Sequence, residues 1–277
     1  MLTSVLNSKI INCIDGIYSK DQLKSWSKKG ILKCPVCGKS YEYCHGKIKM
    51  PYFRHKDKNM CEAKYIESET QEHLKGKRDL FHWIKNIPGT YDVVLEGWIP
   101  GTKQRPDIMF KYDSEQYVIE YQCTPIASEY FERHDLYNAS GIKDIWILGA
   151  KNYFQEYYSG NKEGNIKRFN TIEKIENLLY YDCNLEMLMT INHKWSINKI
   201  KNKKFMYYKK HRYDKNKNNM MRIKSENVDF RYYSYRTKNG WSGYYEYIGN
   251  YSTACCKRLE DIYSLDYLFN TDLWIKK

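Results

Sequence analysis

Asp107, in the run Arg105-Pro106-Asp107, and Glu120, in Glu120-Tyr121-Gln122, are acidic residues set into otherwise apolar, alternating segments. A carboxylate in such a place is costly to bury unless it is paired or bound to a cation. Mg2+ takes hard oxygen ligands, commonly one or two carboxylates with waters and phosphate oxygens. Asp107 and Glu120 therefore read as ligands for Mg2+ or Mn2+. The matching chemistry is attack of a metal-activated water on a phosphodiester. Strand side chains alternate between faces, so Glu120 shares its face with Gln122 while Ile119 and Tyr121 point away. A neutral amide at Gln122 orients a water but offers no full positive charge to a transition state.

Other residues converge on the same chemistry. Glu96 alternates with Val93 and Leu95 and faces the pair as an outer contact, and Glu72 and His73 are candidates for a metal or water contact from a preceding helix. Arg133 and Tyr137 are four apart, hence on one helical face. An Arg there can hold a phosphate through two parallel hydrogen bonds, with Tyr137 orienting it. Arg105 is the third candidate for substrate binding.

These side chains need a scaffold, and the sequence outlines one. Glu62 to Asn86 carries Ile66, Thr70, Leu74, Phe81 and Ile84 near helical spacing, with Pro88-Gly89 as the stop. Tyr91 to Ile99, Arg105 to Tyr112 and Gln116 to Gln122 alternate as strands, separated by Pro100-Gly101-Thr102-Lys103 and Asp113-Ser114-Glu115. A helix over Ser128 to Ser140, stopped by Gly141, and a buried strand over Lys143 to Leu148 follow. The predicted order is αβββαβ, that of the restriction-endonuclease-like PD-(D/E)xK core, an α/β fold with a mixed sheet flanked by helices. Many such nucleases place Lys where this chain has Gln122.

A second metal-ligand pattern lies upstream. In Cys34-Pro35-Val36-Cys37-Gly38 two thiols two residues apart can chelate one tetrahedral ion, and His55 and Cys61 complete a Cys3His set for a structural Zn2+. Cys44 and His45 are rival ligands. The other five cysteines lack a partner pattern and read as reduced thiols.

The Cys34–Gly38 turn, Pro51-Tyr52-Phe53-Arg54-His55, His73-Leu74-Lys75, Asp107, Glu120-Tyr121-Gln122, Arg133 with Tyr137 and the Lys143 to Gly149 strand together resemble the nuclease-like domain of the competence protein CoiA family. The likeness covers roughly residues 30–150, and no match is visible beyond about residue 160. It implies a restriction-endonuclease-like fold, a divalent metal and a role on DNA, promoting recombination during transformation. Gln122 would then be that family's own variant. A phage-defence nuclease would carry the same pattern.

The chain divides into an N-terminal zinc-ribbon-like segment (1–61), the nuclease-like core (62–160) and a basic, Tyr-rich C-terminal region (161–277). A helical patch is expected from Ile172 to Met189. Net charge is +13 over 277 residues, and thirteen Lys/Arg against three Asp/Glu fall in residues 201–240. Tyr207, Tyr208, Tyr213, Phe230, Tyr232, Tyr233 and Tyr235 are interleaved there. Cations attract phosphates and aromatic faces stack on exposed bases, so nucleic acid, and DNA first, is the expected partner. No run of about 18 apolar residues implies a membrane span. A start without a signal-peptide pattern points to the cytoplasm. A homodimer is compatible with cutting both strands. Two functions fit: a metal-dependent endonuclease, or a catalytically weak DNA-binding protein of the same fold that assists recombination.

Overall fold

The computed structural model describes residues 1–46, 49–56, 61–63, 70–124, 129–150, 177–192, 220–222, 229–237, 240–248 and 253–269. Two compact units partition the chain: Met1–Tyr121 with Phe131–Ile145, and Gln122–Tyr130 with Trp146–Lys277. The architecture is mixed α/β.

The first unit opens with β1 (Thr3–Leu6) and β2 (Lys9–Asn12), joined by Asn7 and Ser8 at φ 49° and 63°. Two successive positive φ values make the type I′ turn, whose twist matches that of the flanking strands. α1 (Lys20–Lys28) starts at a capping box between Ser19 and Gln22. β3 (Tyr41–Cys44) and β4 (Tyr52–His55) then form a hairpin that sets Tyr41 opposite His55. Leu6, Ile11, Leu23, Leu32, Tyr43 and Phe53 bury themselves together, with Cys34 and Tyr41 in the same small core.

α2 (Gln71–Asn86) is shorter than its periodicity suggests. Cys61–Ala63 are not helical, and Thr70 is the N-cap: its backbone is extended and its hydroxyl accepts the His73 amide at 3.1 Å. Three antiparallel strands follow, β5 (Tyr91–Leu95), β6 (Ile108–Tyr112) and β7 (Glu115–Gln122). β5 ends four residues before the expected Ile99, because Glu96 takes φ 53° and turns the chain out of the strand. Asp107 lies just ahead of β6 rather than inside it. Asp113 and Ser114, at φ 48° and 64°, close the β6–β7 hairpin as another type I′ turn. α3 (Glu129–Ala139) ends at Gly141, whose φ of 68° stops the helix. β8 (Ile142–Gly149) then takes its place beside β7, giving the order β5-β6-β7-β8.

α2 can pack closely because Gly76 has no side chain. A Cβ there would fall 2.1 Å from Cε1 of Tyr121, whose ring lies against the helix. Leu74, Leu80 and Ile84 of α2 are fully buried, as are Ile108, Phe110, Val118 and Ile119 of the sheet.

In the second unit the end of β8 runs parallel to β9 (Asn177–Asp182), which pairs antiparallel with β10 (Met187–Asn192). The described part of the expected 172–189 helix is thus a hairpin. Asp182 decides it: its carboxylate accepts the Asn184 and Leu185 amides at 2.9 and 3.3 Å, an Asx-type turn, and Glu186 sits at φ 55°. β11 (Met220–Arg222) and β14 (Thr253–Arg258) extend this sheet in the order β9-β10-β14-β11. β12 (Asp229–Thr237) and β13 (Gly240–Ile248) form a separate hairpin. The short α4 (Asp266–Phe269) follows. Residues 201–219, 223–228 and 238–239, about two thirds of the basic stretch, lie outside the described residues. Among the described residues no helix is long and apolar enough to cross a membrane.

Candidate functional site

At the mouth of the β5–β7 sheet, buried carboxylates and cations alternate. The Asp107 Oδ2 atom accepts the Tyr121 amide of β7 at 2.9 Å and lies 3.1 Å from His73 Nε2. Its Oδ1 lies 3.3 Å from Lys77 Nζ. Lys77 also reaches Glu96 Oε1 at 2.7 Å. His73 and Lys77 are one helical turn apart on α2, so both present themselves to the same carboxylate. The Lys77 side chain is 2% exposed, where an ammonium persists only with anionic partners, and here it has two.

Lys77 was not singled out by sequence reasoning, since a Lys in an amphipathic helix normally reads as a solvated face. The signal that could have found it is its spacing from His73 together with Gly76 beside it, which marks this face as the one pressed against the sheet.

Glu120 sits on β7 next to Tyr121. Arg133 Nη2 and the Tyr137 hydroxyl, both from α3, close on its Oε1 atom. Arg133 Nε also donates to Gln104 Oε1 at 3.2 Å. Both contacts to Glu120 fall on Oε1, and Oε2 carries no hydrogen bond or ion pair to any described residue. Burial raises the Glu120 pKa above its ordinary value, Arg133 opposes that rise, and the negative charge of Asp107 adds to it. Two carboxylates that feel each other's charge each make the other's ionised form less favourable.

The sequence candidates therefore fall into distinct places. Asp107 and His73 meet directly, and Glu96 joins them through Lys77. Arg133 and Tyr137 share a face, as their spacing requires, yet that face meets Glu120 rather than an open surface: both are buried. Arg105 is enclosed too. It donates from Nη2 to Glu96 Oε2 (2.6 Å) and Thr3 Oγ1 (2.7 Å), and from Nη1 to the Tyr41 hydroxyl (3.2 Å). A guanidinium so occupied is a structural partner of Glu96, not a surface waiting for phosphate. Glu96 completes its own shell with the Leu2 and Thr3 amides at 2.8 and 3.0 Å. Glu72 is half-buried in the first turn of α2. Gln122, at the end of β7, donates to the Thr124 carbonyl at 2.8 Å.

The Cys/His pattern converges. Ligand atoms of Cys34, Cys37, His55 and Cys61 all lie within 4.8 Å of one another. Cys34 Sγ is 3.9 Å from Cys61 Sγ, and Cys37 Sγ is 3.8 Å from His55 Nε2. A tetrahedron with metal–sulfur bonds of about 2.3 Å has edges of about 3.8 Å, so these spacings fit zinc. The turn is built for it: the Gly38 amide donates to the Cys34 carbonyl, Gly38 is at φ 68°, and the Val36 amide points at Cys34 Sγ. Burial pushes the Cys34 thiol up, but the Tyr41 hydroxyl and the Cys37 and Val36 amides bring it below its ordinary pKa. Burial, then Arg105 and Lys39, lower the His55 pKa and favour the neutral imidazole that binds metal. The Cys61 thiol is pushed up to about 12 by burial, so a cation is what would ionise it. The rivals lie apart from this cluster: His45 Nδ1 is 2.8 Å from the Tyr43 hydroxyl, and Cys44 interacts with Tyr52.

Fold and clusters define a mixed α/β protein with a Cys3His metal-ligand set and a buried acidic–basic centre. The chain belongs to the family of the competence protein CoiA nuclease-like domain, whose model matches residues 69–239. That match continues well past the point, near residue 160, where the sequence likeness had faded. Competence protein CoiA of Bacillus subtilis (strain 168) is 38% identical over 117 residues. The match covers 42% of this chain and 31% of that relative, so less than a third of the relative's length is represented. No solved structure matches the chain.

Proposed function

We propose that the chain is a divalent-metal-dependent nuclease acting on DNA, built on a PD-(D/E)xK core and serving recombination in competence. The single observation that supports this best is the Glu120 carboxylate: among the described residues it is gripped through Oε1, beside an Asp107 whose charge it feels. The order of α2, β5–β7, α3 and β8 is the one that core requires. Asp107 and Glu120 Oε2 would hold Mg2+ or Mn2+. When bound, such a cation activates a water and offsets charge on the scissile phosphate.

The chain's own residues do the rest. Arg133 and Tyr137 keep Glu120 in one rotamer. Lys77, 3.3 Å from Asp107, brings the positive charge that Gln122 lacks. Gln122 orients the attacking water, whose addition to phosphorus expels the departing sugar oxygen. His73 fixes the second oxygen of Asp107.

A second reading has an observation of its own. Lys77 and Arg133 already neutralise both carboxylates, and a centre so balanced suits a catalytically weak DNA-binding protein that assists recombination. One experiment separates the two. Wild type, Asp107→Ala and Glu120→Ala are incubated with plasmid and with single-stranded DNA plus Mg2+ or Mn2+. Cleavage by wild type alone supports the nuclease; binding by all three without cleavage selects the second reading.

A further inference from the structure

The Cys3His cluster and the buried acidic–basic centre of the first unit are joined by an unbroken line of buried polar contacts. The Tyr41 hydroxyl donates to Cys34 Sγ at 3.1 Å and accepts from Arg105 Nη1 at 3.2 Å. Arg105 Nη2 reaches Glu96 Oε2 at 2.6 Å, Glu96 Oε1 reaches Lys77 Nζ at 2.7 Å, and Lys77 reaches Asp107 at 3.3 Å. The side chains along it are enclosed: Cys34, Tyr41, Glu96, Lys77 and Asp107 are buried residues, and the Arg105 side chain is 5% exposed. Beyond the Tyr41 hydroxyl the signs alternate, Arg105, Glu96, Lys77, Asp107. A shift of one member therefore changes the partner of the next in a medium where unpaired charge is costly.

We propose that Tyr41 and Arg105 are positioning residues that tie metal loading of the Cys34, Cys37, His55 and Cys61 cluster to the geometry of Asp107. The ends are firm. Cys34 is held by its amide on the Lys39 carbonyl at 2.8 Å, and Tyr41 by its amide on the Leu32 carbonyl at 2.8 Å. Asp107 is pinned by the Tyr121 amide at 2.9 Å. Between them Glu96 stands at φ 53°, a conformation a non-glycine residue keeps only when its surroundings hold it, and those surroundings are Arg105, Lys77, Thr3 and the Leu2 and Thr3 amides. A cation at the cluster fixes the Cys34 sulfur that the Tyr41 hydroxyl addresses. Tyr41 then holds Arg105, Arg105 holds Glu96, and Glu96 aims Lys77 at Asp107. Without the cation the sulfur keeps only hydrogen bonds, among them those from the Val36 amide and the Tyr41 hydroxyl, and the line loosens from that end. The proposal rests on Asp107 belonging to the candidate nuclease site, but its test does not need cleavage.

The readout is amide hydrogen exchange at Tyr121, whose N–H is donated to Asp107, and at Leu2 and Thr3, whose N–H groups are donated to Glu96. Full-length wild type is compared zinc-loaded and zinc-stripped, beside zinc-loaded Tyr41→Phe, which keeps all four ligands and the Arg105–Glu96 pair. Arg105→Lys is the conservative second variant: it keeps charge on Glu96 but lacks the fork that also reaches Tyr41. Zinc removal is expected to speed Tyr121 exchange in wild type by roughly tenfold. Tyr41→Phe and Arg105→Lys should show that faster exchange while still holding one zinc per chain. Unchanged Tyr121 protection in zinc-loaded Tyr41→Phe overturns the proposal, and so does wild type that binds no zinc. If stripping unfolds the chain, the two zinc-loaded proteins decide alone. A wild type that never cuts DNA would sink the nuclease reading and leave this coupling standing.

Discussion

Gly76 lies directly against the ring of Tyr121, with room for a hydrogen and nothing more: an added Cβ would stand 2.1 Å from Cε1 and 2.5 Å from Cζ. Tyr121 is the middle residue of Glu120-Tyr121-Gln122, and Gly76 immediately precedes Lys77. One close approach therefore seats the helix that carries His73 and Lys77 on the strand that carries Glu120. Ala would favour the helix by about 1 kcal/mol on propensity alone. Overpacking typically costs about 1–3 kcal/mol, and a rigid ring has little way to yield. Gly76→Ala should therefore lower stability in urea unfolding; a more stable variant would show that the ring can move aside.

Lys77 pairs with two buried carboxylates, Glu96 at 2.7 Å and Asp107 at 3.3 Å. Lys77→Met should cost about 3–5 kcal/mol, the usual penalty for stranding a buried charge. Adding Glu96→Gln to it should cost less than the two single losses combined, and a double-mutant cycle from denaturant unfolding measures the difference. Additive losses would mean that the pair is not coupled.

The Cys34, Cys37, His55 and Cys61 cluster should hold one zinc per chain by metal analysis, lost in the double variant Cys34→Ser, Cys37→Ser. Because the surrounding core of Leu23, Leu32, Tyr41 and Phe53 is small, chelation should unfold this segment. A metal-free preparation with the same circular dichroism and the same unfolding midpoint would rule out a structural zinc.

Glu120 carries a raised pKa, chiefly through burial, so the folded chain holds this proton more tightly than the unfolded chain does. Its contribution to stability is complete below the unfolded value of about 4.3 and is lost as pH rises through the raised value. Stability measured from about pH 4 towards neutrality should thus fall less steeply in Glu120→Gln than in wild type, although the variant is less stable throughout because Arg133 loses its carboxylate contact. Mn2+ affinity should run the other way and rise across the same window, since the proton must leave first. Titration calorimetry at several pH values checks it, and an affinity flat across that range would exclude Glu120 as a ligand.

With +13 overall and most of it in residues 201–240, DNA binding should weaken steeply with salt. Each phosphate neutralised adds about −0.9 to the slope of log affinity against log salt on duplex DNA. Truncation before residue 201 should flatten that slope in a filter-binding or anisotropy titration. An unchanged slope would move the contact elsewhere.

Much of this arrangement is local in origin and could be read residue by residue. The alternation through Ile108–Tyr112 and Gln116–Gln122 specifies strands, Asp113-Ser114 specifies the turn between them, and Cys34-x-x-Cys37 specifies a chelating loop. Each of these signals acts within a few residues, which is why it survives without a partner in space. Where a local signal was misjudged, a single side chain had decided the outcome: Thr70 starts α2 later than its apolar periodicity, and the Asp182 turn makes a hairpin of a stretch that reads as helix.

What tertiary structure alone decided is which charges meet. In the chain Lys77 looks like an ordinary solvated cation and Arg105 and Arg133 like phosphate contacts, yet the side chain of each is buried against a carboxylate 19, 9 or 13 residues away. The sequence by itself determined the element order from α2 to β8 and the Cys3His spacing. The fold chose the partners, because burial makes an unpaired charge costly and only the packing of α2, α3 and the N-terminal strand against the sheet brings the opposite charge within reach.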